Sequence, residues 1–314
     1  MQRCSLFLLM AVCAPMVHAQ PIMPRFAWPA NAVAEISNDG YMVSTRNGKT
    51  DSLNQHITTR LEVRAHREGL LISMGPSSGE MLPESLSNTG ISREALGKMI
   101  LKYVVSNSGS FVRLDDSVAY AKQMDSIMAP VFARMSALPP AMVANLQKSM
   151  SAGISNSATS RLAWTGLTGT VFDRLWTVGD SVAELLKQPF PGFPGAEMIT
   201  AQVTQFRGVV TCPRGSAASV CWRFTKHSAL DMSAMRASMS KLVSQLGVPD
   251  GGILDRLPIP QTTTDGYVIY DAATGRPLEG GSTVDSQTNG TIGYAAFAMS
   301  SHYVMVTHYN WHAM

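Results

Sequence analysis

The chain has 314 residues, enough for one large domain or two modest ones. Apolar residues make up 45% of it and charged residues only 15%, which excludes a disordered chain and a charge-rich coiled coil. The net charge of +3 comes from 25 Lys and Arg scattered against 22 Asp and Glu, so nucleic-acid binding has no electrostatic footprint here.

Residues 1–19 read as a signal peptide. Arg3 supplies the positive start, Leu6 to Val12 the apolar core, and Val17-His18-Ala19 the recognition site for cleavage before Gln20. A lipoprotein site at Cys13 is disfavoured by the bulky Val12 that precedes it. No later segment reaches the ~18 continuous apolar residues of a membrane helix. The mature chain is therefore expected to be soluble, without a transmembrane segment, and periplasmic or secreted, most simply from a Gram-negative bacterium. Cleavage removes Cys4 and Cys13 and leaves Cys212 and Cys221 flanking the turn sequence Pro213-Arg214-Gly215-Ser216. In an oxidising compartment these two should form a structural disulfide, worth ~3 kcal/mol on the loop-entropy model.

Residues 20–37, rich in Pro and Ala, read as a flexible leader before a single domain over 38–314. From 38 to 80 the period is two. Gly40 to Ser44 is followed by the turn Asn47-Gly48, and along 57–66 the residues Ile57, Thr59, Leu61, Val63 and Ala65 share one face. Leu70 to Met74 answers that strand across Gly69. Residues 92–150 read as a helical block. Ser92 caps a first helix with Leu96, Met99, Ile100 and Tyr103 inward, and Asp115 or Asp116 caps a second carrying Val118, Ala121, Met124, Met128, Val131 and Met135. Pro140 opens a third with Val143, Leu146 and Met150, while Phe111–Leu114 is a short strand.

Helical spacing fits 162–175 only in part, and Trp176 to Val182 reads equally as a strand entering a turn. Strands resume at Ile199–Phe206 and run through the cysteine hairpin. A further helix over 231–246 carries Met232, Met235, Met239, Leu242, Val243 and Leu246 and stops at Gly247 and Pro249. A β-meander ends the chain, with strands from Gly266 and near 278–286, 290–299 and 302–311, joined by Gly280-Gly281 and Asn289-Gly290. The fold class that follows is α+β: a curved, mainly antiparallel β-sheet, to which both ends of the chain contribute, with a helical insertion packed against it. Two domains meeting near 150–195 are the alternative.

No catalytic motif, metal site or cofactor motif emerges. His302, His308 and His312 share strand parity, but His302 and His308 lie ~20 Å apart at ~3.3 Å per residue, too far for one metal ion. The chain has no Gly-x-Ser-x-Gly elbow, no His-Glu-x-x-His pair and no phosphate loop. Asp115, Asp116, Asp180 and His227 are the raw material for a hydrolase, although Asp115 or Asp116 caps a helix and Asp180 follows Gly179 in a turn. The 20 methionines gather on helical stripes at Met124, Met128, Met135 and at Met232, Met235, Met239. Such stripes pack an ordinary core, or line an adaptable apolar groove.

The succession Val178-Gly179-Asp180-Ser181, a proline-rich loop, alternating strands and Tyr270-Asp271-Ala272-Ala273-Thr274-Gly275-Arg276-Pro277-Leu278 resembles exported β-rich bacterial proteins of unknown function. In those, an acidic residue and Thr-Gly close a hairpin in a curved sheet. In outline it is also similar to the half-barrel of periplasmic lipoprotein carriers. The likeness covers residues 176–290 and transfers no catalytic residue. The expected function is non-enzymatic binding of a lipid, another apolar small molecule or an envelope protein, with a periplasmic hydrolase and a structural envelope protein as the alternatives.

Overall fold

The structure, a computed structural model, describes residues 20–79, 92–134, 143–144, 147, 157–168, 170–189, 197–245, 260–292 and 295–313. The third expected helix of the 92–150 block and the signal peptide fall almost wholly outside the described residues.

Strand β1 (Ala32–Arg46) turns at Asn47-Gly48 into β2 (Lys49–His66). Both turn residues have positive φ, 48° and 81°, the conformation that an Asn-Gly hairpin supplies at least cost. Strand β3 (Gly69–Gly79) follows, then β4 (Leu101–Val105) and β5 (Phe111–Leu114). The second half of the chain contributes β6 (Ser181–Pro189), β7 (Glu197–Val210), β8 (Cys221–Leu230), β9 (Gln261–Asp271), β10 (Pro277–Ile292) and β11 (Ala295–Ala313). All eleven form one antiparallel sheet in the order β5-β4-β3-β2-β1-β11-β10-β9-β8-β7-β6. It is two meanders joined where β1 pairs with β11, from Ala32↔Ala313 to Arg46↔Met299. Both ends of the chain do share one sheet.

Four helices complete the described fold: α1 (Arg93–Gly97), α2 (Ser117–Ala133), α3 (Ser157–Thr168) and α4 (Met232–Gln245). Their starts follow local chemistry. Ser92 Oγ accepts from Ala95 N, Asp116 Oδ1 from Ala119 N, and Asp231 Oδ1 from Ser233 N and Ala234 N.

Helix α3 reveals the curvature. Laid flat, eleven strands would hold the edges β5 and β6 ~48 Å apart, at ~4.8 Å per neighbour. A 12-residue helix is only ~18 Å long, yet α3 packs against both edges. The sheet is therefore curled towards closure, with α3 in the seam. Trp164 Nε1 donates to Gly109 O beside β5, and two residues later Gly166 O accepts from Lys226 Nζ of β8.

Several sequence expectations need correction. The 92–150 block is not wholly helical: α1 stops at Gly97, and Leu101–Val105 is a strand whose Tyr103, Val104 and Val105 are buried. Spacing that fits a helix at Leu96, Met99, Ile100 and Tyr103 arises by coincidence across a helix end and a strand start, and Ile100 is exposed. Residues 20–37 are no loose leader. Ile22 bridges to Trp176, Phe26 and Trp28 are buried, and β1 begins at Ala32. Gly280-Gly281 and Asn289-Gly290 are not turns but lie inside β10, so the last meander has two long strands where three were expected. The cause at Gly281 is close approach: a Cβ there would stand 2.5 Å from the Tyr267 ring.

Two other expectations hold, the disulfide and the hairpin closed by an acidic residue and Thr-Gly. Cys212 and Cys221 are disulfide-bonded across the β7–β8 connection. Asp271 and Thr274-Gly275 close the β9–β10 hairpin, with Gly275 at φ 68° and the Asp271 carboxylate accepting from Ala273 N and Thr274 Oγ1. No helix among the described residues is long and apolar enough to cross a membrane.

Candidate functional site

Alternation divides the sheet into an inner and an outer face. The inner face carries Ala34 and Ile36 of β1, Leu61 and Val63 of β2, Phe206 of β7, Phe224 of β8 and Tyr270 of β9, all buried. Around them the interior is closed at one end by aromatic rings. Trp28 stacks on Phe26, and both meet Trp164 edge-on, while Trp28 also meets Trp311 and Phe172 meets Tyr270. The indole N–H groups are satisfied: Trp28 donates to Gly275 O, Trp164 to Gly109 O, Trp176 to Val171 O and Trp311 to Pro277 O. This end is a plug.

Farther along the same strands, inward positions change character. Met42 of β1, Leu53 and Ile57 of β2, Val284 of β10, and Tyr303 and Met305 of β11 have the parity of the core residues but keep partial solvent contact. Gly40 makes room for Tyr303, whose hydroxyl would lie 2.7 Å from a Cβ there and which donates to Gln55 Oε1. Thr307 donates to Asn38 Oδ1 at 2.7 Å. Beyond the plug, then, the curled sheet presents a mixed inner wall, with these apolar side chains set among polar ones such as Asn38, Gln55, Ser282 and Thr307.

The opposite wall is polar. Register places Glu184 of β6 beside Gln202 of β7, which in turn faces Ser228 of β8; one row nearer the plug stand Val182, Thr204 and Lys226. All point inward, with Phe206 and Phe224 as the next inward residues. Lys226 keeps some solvent contact, yet enough protein surrounds the amine that desolvation lowers its pKa from 10.5 to about 8, partly opposed by the Glu184 carboxylate. Across from it on β9 stands Gly266, which contributes no side chain. Thr204 Oγ1, Gln202 Nε2, Glu184 Oε2 and Thr170 Oγ1 are buried without a hydrogen-bond partner. Buried polar atoms of this kind normally find one, so their convergence on one recess is a property of the site. Glu184 and Thr170 also line a cleft of about 620 Å³ at the seam, together with Arg161 and Trp164 of α3 and the following Asp173 and Arg174.

Ion pairs cross the outer face. His56 Nδ1 lies 2.7 Å from Asp39, His302 Nδ1 2.7 Å from Asp285, His227 Nδ1 2.8 Å from Asp265 and His308 Nδ1 3.7 Å from Glu279, each pair bridging adjacent strands. Arg60 and Arg64 both bond Glu62 and hold its carboxyl below the usual range.

The residues singled out as hydrolase material are dispersed. Asp116 caps α2, Asp115 pairs with Arg113, Asp180 accepts from Thr177 N in a turn, and His227 sits outside with Asp265. The aligned histidines have separate partners: His302 takes Asp285 and His308 takes Glu279. Among the described residues no three of His, Cys, Asp and Glu gather as a metal site. Of the methionines, Met124 and Met128 on α2 and Met232 on α4 are half-buried and Met235 is buried. Met239 falls within α4 and Met135 after α2, but their side chains lie outside the described residues. Helix α2 follows the edge strand β5 in the chain, and α4 packs on β7 beside the other edge.

No protein-family model and no curated protein matches this sequence. Among solved structures, one of lipovitellin, described for its lipid–protein interactions, is similar over 91% of this chain at 8% identity, with a TM-score of 0.38. The chain spans only 26% of that lipovitellin chain. OccK11 (OpdR) of Pseudomonas aeruginosa is similar over 93% of this chain and 98% of its own, at 6% identity and a TM-score of 0.20. A protein of unknown function from Bacteroides fragilis has a TM-score of 0.15 at 10% identity, covering 86% of this chain and 92% of its own. At these scores the likeness carries no functional argument.

Proposed function

We propose that this is an exported binding protein that holds an amphipathic molecule, such as a lipid, in the hollow of its curled sheet, flanked by the methionine-bearing helices α2 and α4. The observation that carries the reading is the change along single strands. On β1 and β2, inward residues are buried at the plug and become partly accessible towards the Asn47-Gly48 turn. Partly accessible apolar residues facing an enclosed space, with polar groups across from them, suit a ligand with an apolar body and a polar end. The signal sequence and the disulfide support an oxidising, extracytoplasmic location.

Neighbouring residues of β11 give the test, since Met305 faces in and Val304 faces out. Binding of a fluorescent fatty acid by the chain beginning at Gln20 is measured for Met305→Arg and Val304→Arg, with circular dichroism to verify folding. Loss of binding in the first alone supports the reading. Equal binding in both, or none by the parent protein, overturns it.

A further inference from the structure

The recess on β6, β7 and β8 has a hydrogen-bonding inventory that identifies what it takes. An ammonium has three N–H groups, and Lys226 donates one to Gly166 O at 3.1 Å. Gln202 Nε2 brings two more donors, and the hydroxyls of Thr204 and Thr170 one each, all without a partner in the protein. The two hydroxyls can also accept, and against the four N–H groups left on Lys226 and Gln202 stands one orphaned atom that only accepts, Glu184 Oε2. Thr204 is only 1% exposed, so its unpartnered hydroxyl belongs to a built interior and not to a surface ruffle. Donors in excess call for a ligand part rich in acceptor oxygens.

Charge narrows the class further. Lys226, Arg161 and Arg174 are the cations of the recess and of the cleft that Glu184 joins to it, and Glu184 and Asp173 are its carboxylates. Three against two leaves a single positive charge. We infer that the Glu184–Gln202–Thr204–Lys226 recess binds the singly charged anionic head of an amphiphile, a carboxylate or a phosphodiester, with its chain against the partly accessible side chains of Met42, Leu53, Val284, Tyr303 and Met305. This assignment rests on the proposed function and adds the head-group chemistry to it. Glu184 has a place in it: its carboxylate tempers the recess so that a monoanion, and not a multiply charged phosphate, matches it, and it remains free to accept from a hydroxyl on the ligand.

The test compares three single-chain probes, oleate, lysophosphatidylglycerol and uncharged monoolein, by calorimetric titration at pH 7 with the chain beginning at Gln20. In the parent protein at least one anion binds more tightly than monoolein, and which anion does so distinguishes a fatty acid from a phosphodiester lipid. Lys226→Met weakens the preferred anion by about tenfold or more, the value of one charge-assisted hydrogen bond, and leaves monoolein unchanged. Glu184→Gln, which raises the local charge, strengthens the anion. If monoolein and both anions bind equally and neither substitution alters them, the head-group assignment is wrong and the amphiphile reading stands. If no probe binds the parent protein, the amphiphile reading falls and takes the assignment with it.

Discussion

The two ends of the sheet's interior are built by the same strands and differ in what fills them. At the plug, aromatic rings interlock, and the buried Trp28, Trp164 and Trp176 each donate their indole N–H to a carbonyl. Towards the β1–β2 turn, the inward row passes to Met42, Leu53, Tyr303 and Met305, which stay partly accessible, and across from them stand Glu184, Gln202 and Lys226 with orphaned atoms. The contrast teaches that one sheet can be finished unequally: one end holds the curl, and the other is left with unmet contacts.

The contrast can be broken at either end. Trp164→Ala should cost about 3–5 kcal/mol in urea-monitored stability, since it empties the point where Phe26, Trp28 and Tyr103 meet and leaves Gly109 O without its donor. A cost under about 1 kcal/mol would show that the plug does not hold the fold. Replacing both Cys212 and Cys221 by Ser, a closure over a sequence separation of 9, should cost about 3 kcal/mol and leave ligand affinity in place. Thermal unfolding with and without reductant reads the same quantity.

Lys226 sharpens the comparison through pH. Its native amine is lowered to about 8, so between pH 8 and 10.5 the unfolded chain binds more protons and stability rises with pH. Below pH 8 the full penalty is present. Lys226→Met should therefore be more stable than the parent at pH 7, by roughly 1–2 kcal/mol given the amine's partial contact with water, and the difference should vanish near pH 10.5. Buried Tyr103 and Tyr270 and half-buried Tyr309, all raised by desolvation, weaken both proteins alike at high pH and cancel from the difference. A parent–variant difference that is flat from pH 7 to 10.5 would contradict a desolvated amine. The smallest effect is expected in the hollow: Met305→Ala should cost only about 1 kcal/mol, because the side chain already meets solvent.

Much of the sheet is legible in the sequence because half-buried strands alternate. Along β2, Ile57, Thr59, Leu61 and Val63 against Thr58, Arg60, Glu62 and Arg64 leaves one register that buries the apolar set. Asn47-Gly48 and Asp271 to Gly275 announce their hairpins by turn chemistry alone. The glycines inside β10 mislead because close approach of the Tyr267 ring and a turn leave the same mark in sequence. The recess is invisible for a different reason. Glu184, Gln202 and Lys226 come from three strands, and only the pairing of β6, β7 and β8 assembles them. One signal was available: Lys226 and Gln202 share parity with Phe224 and Phe206, which puts polar side chains where their strand-mates form the core. The methionine stripes, by contrast, draw the eye to helices whose neighbours the sequence cannot name.

The account depends most on the hollow being occupied by a molecule with an acyl chain. The direct measurement is a native mass spectrum of the chain beginning at Gln20 after incubation with vesicles of phosphatidylglycerol and phosphatidylethanolamine and repurification without detergent. The account predicts one retained amphiphile per chain, lost in Met305→Arg and retained in Val304→Arg. A bare protein mass after that incubation would contradict it.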